Sequence, residues 1–289
     1  MINYRPIYRT VTFCIKVLHF IQARLDKRYR AKQNRKYNLS FGGNSFFVHT
    51  IDNNLQIRLY KDSLLSKIIY DGFEKEEFDF VKKTLSFGDI FIDLGANIGL
   101  FSLLASKCVG RDGKVIAFEP APVIYKRFME NVHLNKLENI DARNIGLSNE
   151  KGELKFYVSE NGYDAWNSFA PSVDNKLQNQ ISVQVSTLDH ELELLEMSKI
   201  KLVKIDVEGW EKFVLSGGTH FFKQYKPIVM VEFTDENTIN AGYYASDIYD
   251  VMVSFGYEWY ALKKGVLVRE PKRIHYPYCN LIAIKQDAL

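Results

Sequence analysis

Residues 90–99 read Ile-Phe-Ile-Asp-Leu-Gly-Ala-Asn-Ile-Gly, an apolar run followed by an acid and a glycine-containing turn. The run predicts a buried strand that ends at Asp93 and leads through the turn into a helix. Gly95 can adopt backbone angles that other residues avoid, and Gly99 allows the helix to pack close to the strand. The sequence therefore predicts a cradle for a small molecule at the carboxyl end of this strand.

The turn lacks the glycine spacing of dinucleotide-binding proteins. That pattern places glycines at positions 95, 97 and 100, whereas this chain has Gly95, Asn97 and Leu100. Because a close approach to a pyrophosphate needs those glycines, a nicotinamide-dependent oxidoreductase is disfavoured. A nucleoside ligand without a phosphate fits the turn better.

Composition sets the broad class of the protein. The 289 residues are 46% hydrophobic, 14% aromatic and 25% charged, which is typical of one or two globular domains and excludes a disordered chain. Three cysteines, Cys14, Cys108 and Cys279, are far apart and form no CxxC pair. Neither a disulfide framework nor a zinc site is indicated, and a cytoplasmic location is expected.

The first 36 residues are strongly basic. They hold ten Lys or Arg and a single acid, Asp26, which leaves a net charge of −6 for the rest of a chain whose total is +3. Apolar residues recur there at helical spacing and predict an amphipathic helix: Ile7, Val11, Ile15, Leu18, Ile21 and Leu25. Such a helix packs on the body or on a second subunit, or makes peripheral contact with an anionic membrane. Its apolar run, 11–21, is shorter than the roughly 20 residues of a bilayer span, so no transmembrane helix is expected. No signal-peptide cleavage site follows the run. No nucleic-acid partner is expected for this segment.

Strands and helices alternate along the chain and predict an α/β fold with a doubly wound, mostly parallel sheet of seven strands. We expect an N-terminal extension over 1–62 and a main domain over 63–289. Within the extension, a linker at 36–44 is expected to lead into a hairpin of two strands, Phe46–Val48 and Leu55–Tyr60. The seven strands are expected at 90–93, 114–118, 140–147, 200–206, 228–233, 258–262 and 281–284, with an additional arm of 152–158 and 181–187.

Four acids fall at predicted strand ends, where ligands bind in such sheets: Asp93, Glu119, Asp206 and Glu232. Glu119 lies 20 residues after Gly99, the interval at which a carboxylate reaches ribose hydroxyls in nucleoside-binding sheets. Lys204 is inside a predicted buried strand, and we expect it to pair with a carboxylate.

Five segments resemble the FkbM family of S-adenosylmethionine-dependent methyltransferases: FIDLGANIGLFSLLASK (91–107), KVIAFEPAPVIYKRFMENVHLN (114–135), NIGLSNEKGELKFYVSE (144–160), STLDHEL (186–192) and KIDVEGWEKFVLSGG (204–218). The resemblance runs from about residue 70 to about 235 and implies a Rossmann-like class I methyltransferase fold. It implies that S-adenosylmethionine contacts Asp93, Gly95, Asn97, Gly99 and Glu119, and that the adenine lies against the segment beginning at Asn144. This cofactor has a ribose and an adenine but no phosphate, in agreement with the turn.

The resemblance further implies methyl transfer to a hydroxyl of a sugar, a glycan or a secondary metabolite. Asp206 and Glu208 are the candidate catalytic residues, acting as a base or as hydroxyl anchors, and Asp206 and Glu232 are candidate ligands of Mg²⁺. The loop 161–179, with Trp166, Asn167 and Ser168, is expected to touch the acceptor or to form a lid. An N-methyltransferase of a small molecule and a catalytically silent nucleoside-binding subunit remain open, whereas Asp206-Val-Glu-Gly is unlike the tetrad of nucleic-acid methyltransferases. The sequence leaves the oligomeric state open.

Overall fold

The computed structural model describes residues 27, 31–52, 54–72, 74–159, 167–171, 178–193 and 200–285. The predicted basic helix from Ile7 to Leu25 lies outside these residues, as do Trp166 and most of the loop 161–179. In the described part of the chain, no helix is both long enough and apolar enough to cross a bilayer.

The first elements are helix α1 (31–40), a hairpin and two short helices. Gly72, with φ 92°, ends the first of the two helices. The linker predicted at 36–44 is wrong, because residues 36–40 are helical and the side chains of Tyr37 and Phe41 are buried. The bounds are β1 (Phe46–Asp52), β2 (Leu55–Tyr60), α2 (Leu64–Asp71) and α3 (Lys75–Thr84).

Alternating strands and helices follow, as predicted. The first group is β3 (Ile90–Leu94), α4 (Leu100–Val109), β4 (Lys114–Phe118), α5 (Pro122–Leu134) and β5 (Ile140–Arg143). An arm and a short helix come next: β6 (Gly146–Leu147), β7 (Gly152–Ser159), β8 (Gln178–Ser186) and α6 (Leu188–Leu192). The last group is β9 (Ile200–Ile205), α7 (Glu211–Gly217), α8 (Thr219–Tyr225), β10 (Ile228–Phe233), α9 (Asp235–Asn240), α10 (Ala245–Ser254), β11 (Tyr257–Lys263), β12 (Val266–Arg269) and β13 (Cys279–Lys285).

The central sheet has the strand order β12-β11-β13-β10-β9-β3-β4-β5. The five strands from β10 to β5 are parallel, and β13 runs antiparallel between β10 and β11. The doubly wound, mostly parallel sheet is confirmed, with β12 as an eighth strand beyond the seven predicted. Strand β12 follows β11 through a tight turn at Lys264 and Gly265, both with positive φ. A lysine in that conformation gives little turn signal, which is why β12 was missed.

One predicted strand is divided in the structure. The segment 140–147 contributes β5 to the central sheet, but Gly146 and Leu147 pair with β8 in a separate sheet of order β6-β8-β7. The ring of Phe169 lies where a Cβ at Gly146 would be, so the chain changes sheets at a residue without a side chain. This second sheet carries the predicted arm of 152–158 and 181–187.

Apolar residues cover both faces of the central sheet, as expected for parallel strands. Phe91 faces the core that contains helix α4, and its neighbour Ile92 faces the opposite core. Strand β2 contributes Leu55, Ile57 and Leu59 to the same core as Phe91. The hairpin therefore packs into the main body, while the domain boundary at residue 62 stays a prediction.

Candidate active site

The turn after β3 is built from residues with left-handed backbone angles. Gly95 has φ 84°, Asn97 φ 49° and Gly99 φ 91°. A Cβ on Gly95 would lie 1.8 Å from the backbone oxygen of Asp206, so only glycine fits where the ends of β3 and β9 meet. The amides of Gly95 and Ala96 both donate to the carbonyl of Phe118 at the end of β4. The turn is thus fixed by both neighbouring strands.

Gly99 serves packing more than ligand contact. A Cβ on Gly99 would lie 2.2 Å from the ring of Phe128 on α5, so this glycine admits a helix from the adjacent unit. Gly99 does not line the cavity described next. The sequence prediction of close packing is therefore right, but the close partner is Phe128 rather than the preceding strand.

A cavity of about 330 Å³ opens at the carboxyl ends of β3, β4, β9 and β10. This is the size of a small-molecule site. Most of the predicted site residues line it: Asp93, Gly95, Asn97, Glu119, Asp206, Glu208 and Glu232. The structure therefore brings together the predicted donor residues and the predicted acceptor residues around one space.

Asp93 is fully buried beneath the turn. Its Oδ2 accepts a hydrogen bond from Ser102 Oγ at 2.6 Å, while its buried Oδ1 has no partner among the described residues. Burial raises the pKa of the Asp93 carboxyl above its ordinary value. A buried oxygen without a donor, at the wall of a cavity, is suited to a ligand that brings one.

Glu119 organises the end of β4. Its Oε2 accepts from the Asn97 amide at 3.0 Å, and its Oε1 accepts from the Ala121 amide at 2.8 Å. The side chain also lines the cavity. Contact of Glu119 with a ribose stays a prediction.

Asn144 is exposed, and its side chain braces the neighbouring loop. Its Nδ2 donates to the carbonyls of Glu119 at 2.8 Å and Pro120 at 3.1 Å. The following residues Ile145 and Gly146 line the cavity, and Asn144 does not. Contact of this segment with an adenine stays a prediction, carried by Ile145 and Gly146 rather than by the Asn144 side chain.

Three carboxylates form a cluster beyond the ends of β9 and β10. Oxygens of Asp206, Glu208 and Glu232 all lie within 4.8 Å of one another. Glu208 has φ 52°, and its Oε2 accepts from Asn237 Nδ2 at 2.8 Å. These three residues could hold a divalent cation, because carboxylate oxygens are the ligands that Mg²⁺ takes in proteins.

The turn that presents Glu208 is held by Glu211, a buried acid at the start of α7. Glu211 Oε1 accepts from the amides of Val207 at 3.2 Å and Gly209 at 3.1 Å. Burial raises the pKa of Glu211 to about 7. Glu211 therefore shapes the cluster from behind without lining the cavity.

Lys204 is the cation of the cavity wall. Its Nζ donates to Asp206 Oδ2 at 2.6 Å, which confirms the predicted pairing with a carboxylate. Burial acts to lower the pKa of Lys204, but the charges of Asp206, Asp93 and Glu74 outweigh burial and raise the pKa, so the amine stays protonated. Burial and the charge of Asp206 raise the pKa values of Glu208 and Glu232 well above the ordinary range of a carboxyl.

Several lining residues were missed by the sequence analysis. Glu74 Oε1 accepts from Tyr278 Oη at 2.9 Å and from Asn280 Nδ2 at 3.1 Å, and burial raises the pKa of Glu74 to about 7. Glu74 stands in the charged run Glu74-Lys-Glu-Glu, which is typical of a solvated helix start, so its role left no signal in the sequence.

Ser168 Oγ donates to the Glu208 carbonyl at 2.6 Å, which places one residue of the predicted acceptor loop at the site.

Comparison with known proteins identifies a family and several relatives. The family model described as the methyltransferase FkbM domain matches residues 93–259. Methyltransferase 1 of Beauveria bassiana is 28% identical over 144 residues, which cover 44% of this chain and 57% of that protein. The hexuronic acid methyltransferase AglP of Haloferax volcanii is 31% identical over 144 residues, which cover 49% of this chain and 55% of that protein.

The matched region spans little more than half the length of these curated relatives. A crystal structure of an FkbM methyltransferase from Methylobacillus flagellatus aligns with a TM-score of 0.42 at 13% identity, over 76% of this chain and 54% of that one. The family match covers more than half of the present chain, from the acid of the glycine turn to β11. The chain therefore belongs to the FkbM methyltransferase domain family.

Proposed function

We propose that this protein transfers a methyl group from S-adenosylmethionine to a hydroxyl of a sugar, a glycan or a secondary metabolite. The observation that carries the proposal is that the glycine turn with Glu119 and the cluster of Asp206, Glu208 and Glu232 line one cavity. A donor held at the turn would have its acceptor next to a group of carboxylates. The family membership supports the methyl transfer, and the carboxylates support an acceptor with a proton to lose.

The donor side fits S-adenosylmethionine on its own geometry. Glu119 and the turn residues Gly95 and Asn97 line the cavity, and Asp93 presents an unpartnered oxygen at its wall. When bound, this cofactor supplies an electrophilic methyl group with a neutral thioether as the leaving group. The residues of the cradle contribute by holding the donor in line with the acceptor, and such alignment is worth about 7 to 11 kcal/mol of the barrier.

On the acceptor side, we assign Asp206 to orient the hydroxyl and Glu208 to receive its proton. Asp206 Oδ2 is bonded to Lys204, which fixes the carboxylate and leaves its other oxygen for the acceptor. The raised pKa of Glu208 makes it a stronger base than an ordinary carboxylate once it is ionised. Asn237 holds the Glu208 side chain in place.

The charges of the cavity favour a neutral acceptor. Lys204 is its only cationic side chain among the described residues, against six carboxylates: Glu74, Asp93, Glu119, Asp206, Glu208 and Glu232. The relative AglP is named for a hexuronic acid, which supports a sugar acceptor for this chain. The carboxylate of a sugar acid would find the one cation that the described residues place on this wall, Lys204, already paired with Asp206, so we expect neutral sugars to be methylated faster than hexuronates.

The proposal is tested by incubating the protein with S-adenosylmethionine carrying a ¹³C methyl group and with neutral, amino and acidic sugars and phenolic metabolites. We expect the label on oxygen, which its carbon chemical shift distinguishes from nitrogen, with and without EDTA or added Mg²⁺. Asp206→Asn and Glu208→Gln should each reduce turnover about 100-fold or more, whereas Glu236→Gln on the exposed face of α9 should not.

Other outcomes would replace the proposal. Label on an amine would indicate an N-methyltransferase, and donor binding without transfer to any acceptor would indicate a silent nucleoside-binding subunit. Loss of activity in EDTA that Mg²⁺ restores would make Asp206, Glu208 and Glu232 a metal site, which methyl transfer to oxygen does not require, since the thioether leaves without a charge.

We also propose a cytoplasmic location with peripheral membrane contact through residues 1–36. The support is their excess of positive charge, which attracts anionic lipid headgroups. Flotation with anionic vesicles is expected to carry the full chain and to lose a chain that begins at residue 37. Equal recovery of both chains would disprove the membrane contact.

A further inference from the structure

Glu74 has an unusual backbone for the start of a helix. It precedes α3 with φ 51° and ψ 44°, in the left-handed region, and its side chain makes no capping hydrogen bond to the helix. An acid at this position ordinarily accepts a hydrogen bond from the first turn. A left-handed non-glycine residue is costly and is kept where the surrounding structure needs the side chain elsewhere. Here the side chain lines the cavity.

The Glu74 carboxylate is oriented but not saturated. Tyr278 Oη and Asn280 Nδ2 both donate to Oε1, at 2.9 Å and 3.1 Å. No described residue donates to Oε2. Two donors on one oxygen fix the plane of the carboxylate and leave the second oxygen available to a ligand in the cavity.

The surroundings of Glu74 favour a cationic ligand. The charges of three carboxylates, Asp206, Asp93 and Glu74, act on Lys204. This part of the cavity therefore has more acidic side chains than amines. Asp206 forms an ion pair with Lys204. Asp93 is 1% exposed and accepts a hydrogen bond from Ser102. Glu74 Oε1 accepts both of the hydrogen bonds that described residues donate to its carboxylate, so its second oxygen is open and oriented, and no described cation forms an ion pair with it.

The order of the strands relates Glu74 to the donor. Strand β4, which ends at the ribose acid Glu119, is followed in the sheet by β3 with the glycine turn and then by β9 with Lys204 and Asp206. Lys204 and Asp206 both act on the Glu74 carboxyl. A donor with its ribose at Glu119 that passes over Gly95 therefore extends toward Glu74. The part of S-adenosylmethionine beyond its sulfur is an amino-acid tail with an ammonium group.

We propose that Glu74, oriented by Tyr278 and Asn280, binds the ammonium group of the donor's amino-acid tail. This inference rests on the proposed use of S-adenosylmethionine. It assigns the open oxygen of Glu74 to the donor and leaves the cluster of Asp206, Glu208 and Glu232 for the acceptor.

The test is isothermal titration calorimetry with three thioether ligands that differ only in the tail, and it needs no acceptor. S-adenosylhomocysteine has the whole amino-acid tail, S-adenosyl-3-thiopropylamine keeps the amine without the carboxylate, and 5′-methylthioadenosine has neither. Glu74→Gln should weaken the first two ligands at least about tenfold and leave the third unchanged. Glu76→Gln, exposed on the same helix and outside the cavity lining, is the matched control and should bind all three as the wild type does.

Tyr278→Phe keeps the Glu74 charge but removes one of its two donors. We expect a smaller loss of S-adenosylhomocysteine affinity from this variant and none for 5′-methylthioadenosine. Unchanged S-adenosylhomocysteine binding by Glu74→Gln would overturn the assignment, as would an equal loss for all three ligands. A wild-type protein that binds none of the three would instead disprove the proposed function together with this inference.

Discussion

Gly95 lies where the ends of β3 and β9 meet at the wall of the cavity. Because Gly95 has no Cβ, the turn after β3 can approach the backbone oxygen of Asp206. The Gly95 amide donates a hydrogen bond to the carbonyl of Phe118 at the end of β4. The glycine turn and Asp206 are therefore in direct backbone contact. A change at this position acts on both.

Gly95→Ala should disrupt the fold because it combines a left-handed backbone with a clash against another strand. We expect a loss of about 4 kcal/mol or more of the free energy of unfolding, measured by urea denaturation. Gly72→Ala is the matched control, since Gly72 has a similar φ of 92° but nothing within 4 Å of its Cβ position. It should cost only about 1 to 2 kcal/mol. Equal losses in the two variants would contradict the role of the contact with Asp206.

At the residue scale, the sequence predicted the acids that follow strands. Glu119 and Asp206 stand directly after apolar runs, and parallel strands bring such positions to one edge. Glu74 and Tyr278 could not be predicted in this way, because they reach the cavity through the packing of α2, α3 and the segment before β13. Their places depend on tertiary contacts that no local pattern records.

At the scale of elements, helix α5 fastens the hairpin to the body. Asn131 has no exposed surface, and its Oδ1 accepts from the Arg58 amide on β2 at 2.8 Å. Its Nδ2 donates to the carbonyl of Ile98, in the glycine turn, at 2.9 Å. One side chain thus links the hairpin, α5 and the glycine turn.

Asn131→Ala should leave the Arg58 amide and the Ile98 carbonyl without partners. Each buried group without a partner costs about 1 to 3 kcal/mol, so we expect a loss of about 2 to 4 kcal/mol in urea denaturation. Asn240→Ala, at the end of α9, removes an asparagine whose side chain makes no hydrogen bond to a described residue, and it should change stability by less than about 0.5 kcal/mol. A small effect of Asn131→Ala would mean that water replaces both bonds.

The sequence predicted best the elements that have one simple hydrophobic pattern. The parallel strands are continuous apolar runs of a length that suits strands, and they were found with bounds within a few residues. The break after Arg143 was missed, because Ile145 and Leu147 continue the apolar pattern, while Gly146 and Leu147 pair with β8 instead of the central sheet.

At the scale of the whole molecule, buried acids make stability depend on pH. Burial raises the pKa values of Glu74 and Glu211 to about 7 and those of Glu208 and Glu232 well above the ordinary range. A carboxyl with a raised pKa binds its proton more tightly in the folded chain than in the unfolded one. Its contribution to stability is complete below the unfolded pKa of about 4.5 and is lost as the pH rises through 7.

The free energy of unfolding should therefore fall between pH 5 and pH 8, and Glu211→Gln should reduce the fall. A glutamine keeps the oxygen that accepts from Val207 and Gly209 but carries no charge. At pH 8 we expect the variant to be more stable than the wild type by about 2 kcal/mol, and at pH 5 about equal to it. The exposed Glu236→Gln should follow the wild-type curve in the same denaturation series, and a parallel curve for Glu211→Gln would contradict the role of Glu211.

The central sheet ends in strands of four residues on both sides, β5 and β12. Strand β12 exposes Val266 and Val268, and a longer strand of this kind would offer an apolar edge with which another chain could pair. It stops at Arg269, which pairs with Glu258 on β11, and β5 carries the charged pair Asp141 and Arg143. Short, charged edges offer little backbone for another chain to join. The sheet is thereby protected against edge-to-edge aggregation, although it holds eight strands.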